Sequence, residues 1–152
     1  MAEGILKDLL IDEAERSHAP VPVKVISAGT HACDGCHATD NAIEVSSEAG
    51  INLNHHISRV LTTGIAERAD LILTMEQNHL EFIHRNWPGI GSVYELKRFG
   101  VESEKVPKVL DIKDPIGGTL AIYHDTFKEI RKEIIRIAPV IIEQAKNRKQ
   151  VK

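Results

Sequence analysis

Long apolar runs, an excess of basic charge and cysteine are what this sequence has least of. No run of about eighteen consecutive apolar residues occurs, the length a helix needs to cross a bilayer, so no membrane segment is expected. Lys and Arg number 19 against 22 Asp and Glu, for a formal net charge of −3. The basic footprint of a nucleic-acid binder is missing, and no nucleic-acid partner is expected. The opening "MAEGILKDLLIDEAER" has no basic n-region, no unbroken apolar stretch and no cleavage site, which places the expected compartment in the cytoplasm. Only two cysteines are present, Cys33 and Cys36. A cytoplasmic chain is expected to keep them as reduced thiols.

What is there is an ordinary globular balance, with 42% hydrophobic and 27% charged residues over 152 positions. That length predicts a single domain spanning residues 1–152. Ile5, Leu6, Leu9, Leu10 and Ala14 form a stripe at helical spacing, and a helix is predicted over residues 1–16, broken by "HAPVP". "VKVISAGT", Val23 to Thr30, reads as a strand closing on a turn. A second helix is predicted over residues 39–49, with Ala42, Val45 and Ala49 on one face and Gly50 as its C′ stop. "TTGIAERA" reads as a short helical turn. "DLILTM", Asp70 to Met75, has the apolar centre of a strand buried on both faces.

"EQNHLEFIHRNW" predicts a helix and "SVYELKRF" a further strand. After the loop "VPKVLDIKDPIGGT", a last helix is predicted from about Thr119, kinked or interrupted at Pro139. Its basic tail, "KNRKQVK", is expected to fray. Helices alternating with strands predict an α/β fold, an open parallel sheet with helices on both faces. Such folds usually open on a strand whose C-terminal end carries the ligand. This chain opens on a helix.

"CDGCH", Cys33 to His37, has the spacing of a c-type haem attachment. The cytoplasmic setting argues against haem. His31, Cys33, Cys36 and His37 form a conceivable zinc set, but four ligands within seven residues make a cramped tetrahedron. A thiol pair for redox control is the more plausible functional reading. The plainer one is two solvent-near thiols in a variable loop.

Four stretches in order, "MAEGILKDLL", "SAGT", "LILTMEQNH" and "DPIGG…IY", resemble the low-molecular-weight protein tyrosine phosphatase family. The likeness runs from Met1 to about Arg136. "DPIGGTLAIYHDTFKEI" is most similar to the bacterial branch that includes protein-arginine phosphatases. The family's catalytic loop reads C-x5-R-S followed by P-M-A-E, and Met1-Ala2-Glu3 matches that M-A-E. The resemblance therefore implies that the first central strand, the nucleophilic cysteine and the phosphate loop lie upstream of residue 1 and are absent from this chain, which is N-terminally truncated relative to the family. Neither cysteine present has an arginine six residues on. Related arsenate reductases need cysteines beyond the third family strand, and none follows Cys36.

By the resemblance, the expected activity is hydrolysis of phosphotyrosine or phosphoarginine on a protein substrate through a phosphocysteine. No metal or cofactor is implied, because the loop and its arginine do the charge work. Asp114, followed by Pro115, matches the family's general acid. Asp111 lacks the proline and ranks second. Ser27 in "SAGT" and His56 in "HHISR" match residues that support the catalytic loop. Two further expectations stand beside this one. A chain without nucleophile would be an inactive fragment or pseudophosphatase acting by binding. Cys33 and Cys36 would make it a redox or metal sensor.

Overall fold

The computed structural model describes residues 1–150, with side chains through residue 148. Helix α1 (Ala2–Ser17) buries Ile5, Leu6 and Leu10 of the predicted stripe and leaves Leu9 and Ala14 half-buried. It closes at His18, which takes a left-handed φ of 53° and donates its N–H to Ala14 and Glu15. Helix α2 (Asp40–Glu48) starts where Thr39 Oγ1 accepts the Ala42 N–H, the standard N-cap arrangement. It ends as predicted at Gly50, with φ +81°. The N–H of Gly50 reaches the Ser47 carbonyl and that of Ile51 reaches Ser46, both at 2.9 Å, a Schellman ending. Ala42 and Val45 are buried while Ala49, expected beside them, is exposed, because it already caps the helix.

Helix α3 (Thr63–Arg68) is followed by strand β1 (Ile72–Thr74), helix α4 (Gln77–Asn86) and strand β2 (Val93–Glu95). The strands pair in parallel, with Ile72 opposite Val93, Leu73 opposite Tyr94 and Thr74 opposite Glu95. Leu71, Leu73 and Met75 share one face of β1 and pack on the main core. The period of two leaves the other face to α4, which contacts both strands and buries Ile83. The fold is α/β, as expected.

Helix α5 (Leu120–Gln150) packs across α1 and α2. Tyr123, Phe127, Ile130, Ile134, Ile137, Ala138 and Ile141 line its buried stripe. Each such aliphatic or aromatic side chain contributes about 1.5–3 kcal/mol of burial. Pro139 does not interrupt the helix. It is exposed, as is Ile135 one turn earlier, so the carbonyl left without a donor lies on the wet side. The tail is also helical through Gln150, against the expected fraying. Lys146 pairs with Glu13 at 3.1 Å and Arg148 with Asp70 at 2.6 Å. Residues 151–152 of that tail lie outside the described residues.

One predicted strand fails to form. Residues 21–28 alternate strictly, with Val21, Val23, Val25 and Ser27 half-buried and Pro22, Lys24, Ile26 and Ala28 exposed. That is strand periodicity without a ladder. Among the described residues only Gly29 at its end makes a bridge, parallel to Val60. A strand needs a neighbour about 4.8 Å away, and among the described residues this segment has none, so its backbone makes no ladder bonds and one edge of β1 is open. Open edges invite pairing with another chain. A chain of residues 1–152 is therefore expected to associate with rising concentration in sedimentation analysis. A monodisperse monomer with one cooperative melt would contradict this.

Candidate active site

Two of the three sequence-predicted residues meet at a third that sequence reading passed over. Glu3, in the first turn of α1, is only 8% exposed. Its Oε2 accepts the Ser27 backbone N–H at 2.8 Å and the Ser27 hydroxyl at 2.6 Å. Its Oε1 accepts Lys7 Nζ at 2.6 Å. His56 Nδ1 lies 3.8 Å from Oε2. The next residue, Gly4, allows this closeness. A Cβ there would sit 2.7 Å from Ile51 Cγ2 and 3.1 Å from Leu53 Cδ2, so any side chain would push α1 away from the segment that carries His56. An acidic residue in a first helical turn followed by glycine was the available signal.

The charges are set by these contacts. Burial raises the pKa of Glu3, but hydrogen bonds from Lys7 and Ser27 outweigh it and hold the carboxyl below its ordinary value. Burial depresses His56. Glu3 opposes that, while Arg59 and Lys7 add to it. His56 is thus a neutral imidazole beside a carboxylate, and the pair is not an ion pair at neutral pH.

Asp114 stands apart, with no hydrogen bond to Glu3, Ser27 or His56 among the described residues. Its Oδ1 accepts the Ile116 N–H at 2.9 Å, an Asx turn. Pro115 is buried, and its carbonyl accepts the Gly118 N–H at 2.8 Å. Gly117 supplies the φ of +75° that a type II turn needs. The turn leaves Asp114 exposed at the tip.

The loop behind it is held firmly. Buried Ile112 donates its N–H to the Met75 carbonyl at 2.7 Å, at the C-terminal end of β1. Lys97 Nζ donates to the carbonyls of Val109 at 3.4 Å and Asp111 at 2.9 Å, and pairs with Glu129 at 2.7 Å. Asp111 is occupied elsewhere. Its Oδ1 accepts the N–H of Gln77 at 2.8 Å, at the start of α4, where helix polarity favours the anion.

The cysteines correct an expectation. Cys33 and Cys36 are joined in a disulfide rather than reduced. Gly35, with φ +81°, folds the turn so that the two Cα atoms stand 5.8 Å apart, within bridging range. Bridged sulfurs are not thiolate ligands. Among the described residues no three His, Cys, Asp or Glu side chains converge as a metal site requires.

Breaking the cluster should cost stability in a pH-dependent way. Glu3→Ala leaves the Ser27 N–H and hydroxyl without their acceptor, an expected loss of about 1–3 kcal/mol at neutral pH. In the unaltered protein, His56 titrates below its ordinary 6.5, so the unfolded chain takes up that proton first. Stability should begin to fall as pH drops below about 6.5. The contribution of Glu3 is present above its ordinary 4.5 and is lost as pH falls through its lower native value. Denaturant unfolding across this range checks both. A Glu3→Ala profile parallel to that of the parent would overturn the assignment.

Comparison with known proteins bears on this geometry. The family model for "Low molecular weight phosphotyrosine protein phosphatase" matches residues 1–151. A protein-arginine-phosphatase of Bacillus subtilis is 34% identical over 139 residues, covering 91% of this chain and 85% of its own. A probable low molecular weight protein-tyrosine-phosphatase, EpsP, of Ralstonia nicotianae is 33% identical over 120 residues, covering 78% of this chain and 77% of its own. Among solved structures, a YwlE arginine phosphatase mutant with a phosphorylated active-site serine superposes with a TM-score of 0.77. It is 32% identical and covers 92% of this chain and 85% of its own.

Proposed function

This chain belongs to the low molecular weight phosphotyrosine protein phosphatase family, and on that premise we propose that it hydrolyses phosphotyrosine or phosphoarginine on proteins through a phosphocysteine, with Asp114 as general acid. Within residues 1–152 neither cysteine is followed by an arginine six residues on. The reading therefore takes the nucleophile and phosphate loop from the segment that the family pattern sets before Met1-Ala2-Glu3.

In the first step the thiolate attacks phosphorus, the bond from phosphorus to the side-chain oxygen or nitrogen breaks, and Asp114 gives its proton to the leaving group. In the second, water attacks phosphorus and gives its proton to Asp114, the phosphorus–sulfur bond breaks, and phosphate leaves with the thiolate restored. The phosphorylated active-site serine in the structure of the related arginine phosphatase supports a covalent phosphoenzyme. The observation that carries the choice of Asp114 is its exposure on a turn whose base is fixed by Lys97 and Met75. Ser27 and His56 act as positioning residues, tying the neighbouring chain to the first turn of α1.

A second reading applies to residues 1–152 by themselves. With the two cysteines bonded to each other, this part of the chain would bind phosphoprotein without turning it over.

The coding sequence upstream of Met1 separates the two. An in-frame strand followed by C-x5-R-S-P supports the enzyme, and a stop codon or unrelated sequence supports the binder. In a product carrying that segment, Asp114→Asn is expected to lower kcat about 10²- to 10⁴-fold on phosphotyrosyl or phosphoarginyl protein. It should also erase the limb of the pH profile that belongs to the acid, with KM little changed. An unaltered kcat and profile would remove Asp114 from the mechanism.

A further inference from the structure

The Cys33–Cys36 turn is a chemically reactive feature that the proposed phosphatase reaction leaves unused. Both cysteines are exposed. Their bridge encloses only Asp34 and Gly35, so it closes too short a loop to constrain much of the unfolded chain. Its effect is local, and the local wiring is dense. Ser58 Oγ accepts the Cys36 N–H at 3.1 Å and donates to the Cys33 carbonyl. The Ser58 N–H donates to the Cys36 carbonyl at 2.8 Å, and the Gly35 N–H to the Ser58 carbonyl at 3.0 Å. Asp34 Oδ1 accepts the Val60 N–H at 3.2 Å. Every one of these bonds joins the turn to residues 58–60.

The two strips so laced are the ones that carry the Glu3 cluster. Ser27 lies two residues before Gly29, whose N–H and carbonyl pair with Arg59 and Leu61 at 3.0 Å. His56 lies two residues before Ser58. The disulfide thus locks the far end of a small brace whose near end holds Ser27 and His56 against Glu3.

We propose that Cys33 and Cys36 form a reversible redox site for a dithiol partner, and that its oxidised state fixes the brace between residues 29–37 and 57–61 that positions Ser27 and His56. Reduction proceeds by thiol–disulfide exchange. A thiolate of the partner attacks one sulfur of the bridge, the S–S bond breaks, and a mixed disulfide forms. The second thiol of the partner then resolves it. Two electrons and two protons pass to the chain, which gains two thiols, and the partner leaves as its own disulfide. Exposure of both sulfurs gives the partner access. Once the bridge opens, the turn keeps only its hydrogen bonds, and the segment leading to His56 loosens. Any consequence for catalysis rests on the phosphatase reading, but the site itself does not.

The test equilibrates the intact chain in buffers of reduced and oxidised dithiothreitol. It reads free thiols by alkylation and mass, and amide exchange and imidazole resonances by NMR. The expected result is a reversible passage between two alkylated cysteines and none. On reduction, the amides of Gly35, Ser58 and Val60 should exchange about tenfold faster, and the His56 ring resonances should shift. Cys33→Ser with Cys36→Ser should reproduce the reduced spectrum in either buffer. Ser58→Ala should leave the thiol titration intact but abolish the His56 response. Thiols that never pair in oxidised buffer would overturn the proposal. So would a bridge that forms and breaks while the amides of residues 57–61 and the His56 ring stay unmoved. Loss of phosphatase activity plays no part in these readouts, so failure of the catalytic reading is seen separately, in the Asp114 variant.

Discussion

The arrangement depends first on one buried carboxylate. Glu3 takes two hydrogen bonds from Ser27 and one from Lys7, joining the first turn of α1 to a segment 24 residues away. That segment has no ladder bonds along residues 23–28, so its register against the core is held by two things. The half-burial of Val21, Val23 and Val25 fixes which face turns inward. The tether at Ser27 fixes where along its length the chain stops sliding. An apolar residue at position 3 would satisfy the first requirement and forfeit the second. A buried anion is tolerated because every nearby donor is charged or aimed, and because it lies at a helix N-terminus, where the peptide dipoles favour negative charge.

A second set of polar contacts does the same for the loop that carries Asp114, from the opposite end of the chain. Arg136 on α5 donates to the carbonyls of Leu96, Lys97 and Phe99 at 3.0, 3.3 and 2.7 Å. It fixes the turn after β2. Lys97, in that turn, then holds the carbonyls of Val109 and Asp111. The exposed Asp114 is thus connected through two buried or half-buried cations to helix α5, which packs across α1 and α2. Its distance from the core does not make it loose.

Much of this was legible in the sequence and some was not, for definable reasons. The stripes of α1 and α5, the Gly50 ending, the strands around Leu73 and Tyr94 and the Asp114 turn all follow from local chemistry that a short window contains. Val23 to Thr30 has a strand's alternation, but pairing belongs to the neighbour and not to the segment. A proline such as Pro139 kinks or interrupts a helix by local chemistry, yet helix continuity there depends on which side faces water. The reduced thiols followed from the expected compartment, whereas the bridge follows from the geometry of the turn at Gly35. Glu3 was visible only as part of a matching motif. Its partners are 4, 24 and 53 residues away, and no periodicity links them.

Glu3, Asp111 and Asp114 also show why type and position in the sequence do not assign a role. A general acid has to exchange its proton twice per turnover, so neither form can be locked by its surroundings. Glu3 fails this requirement, because the Ser27 N–H and hydroxyl and the Lys7 ammonium hold it as the anion. Asp111 fails it in a milder way, since its Oδ1 serves the first N–H of α4 and protonation would weaken that helix start. Asp114 spends one oxygen on its own turn and is otherwise exposed. The proposed division follows from those bonds. Glu3 holds the scaffold because it is fixed as an anion, Asp111 starts a helix, and Asp114 is the exposed carboxylate bound only to its own turn.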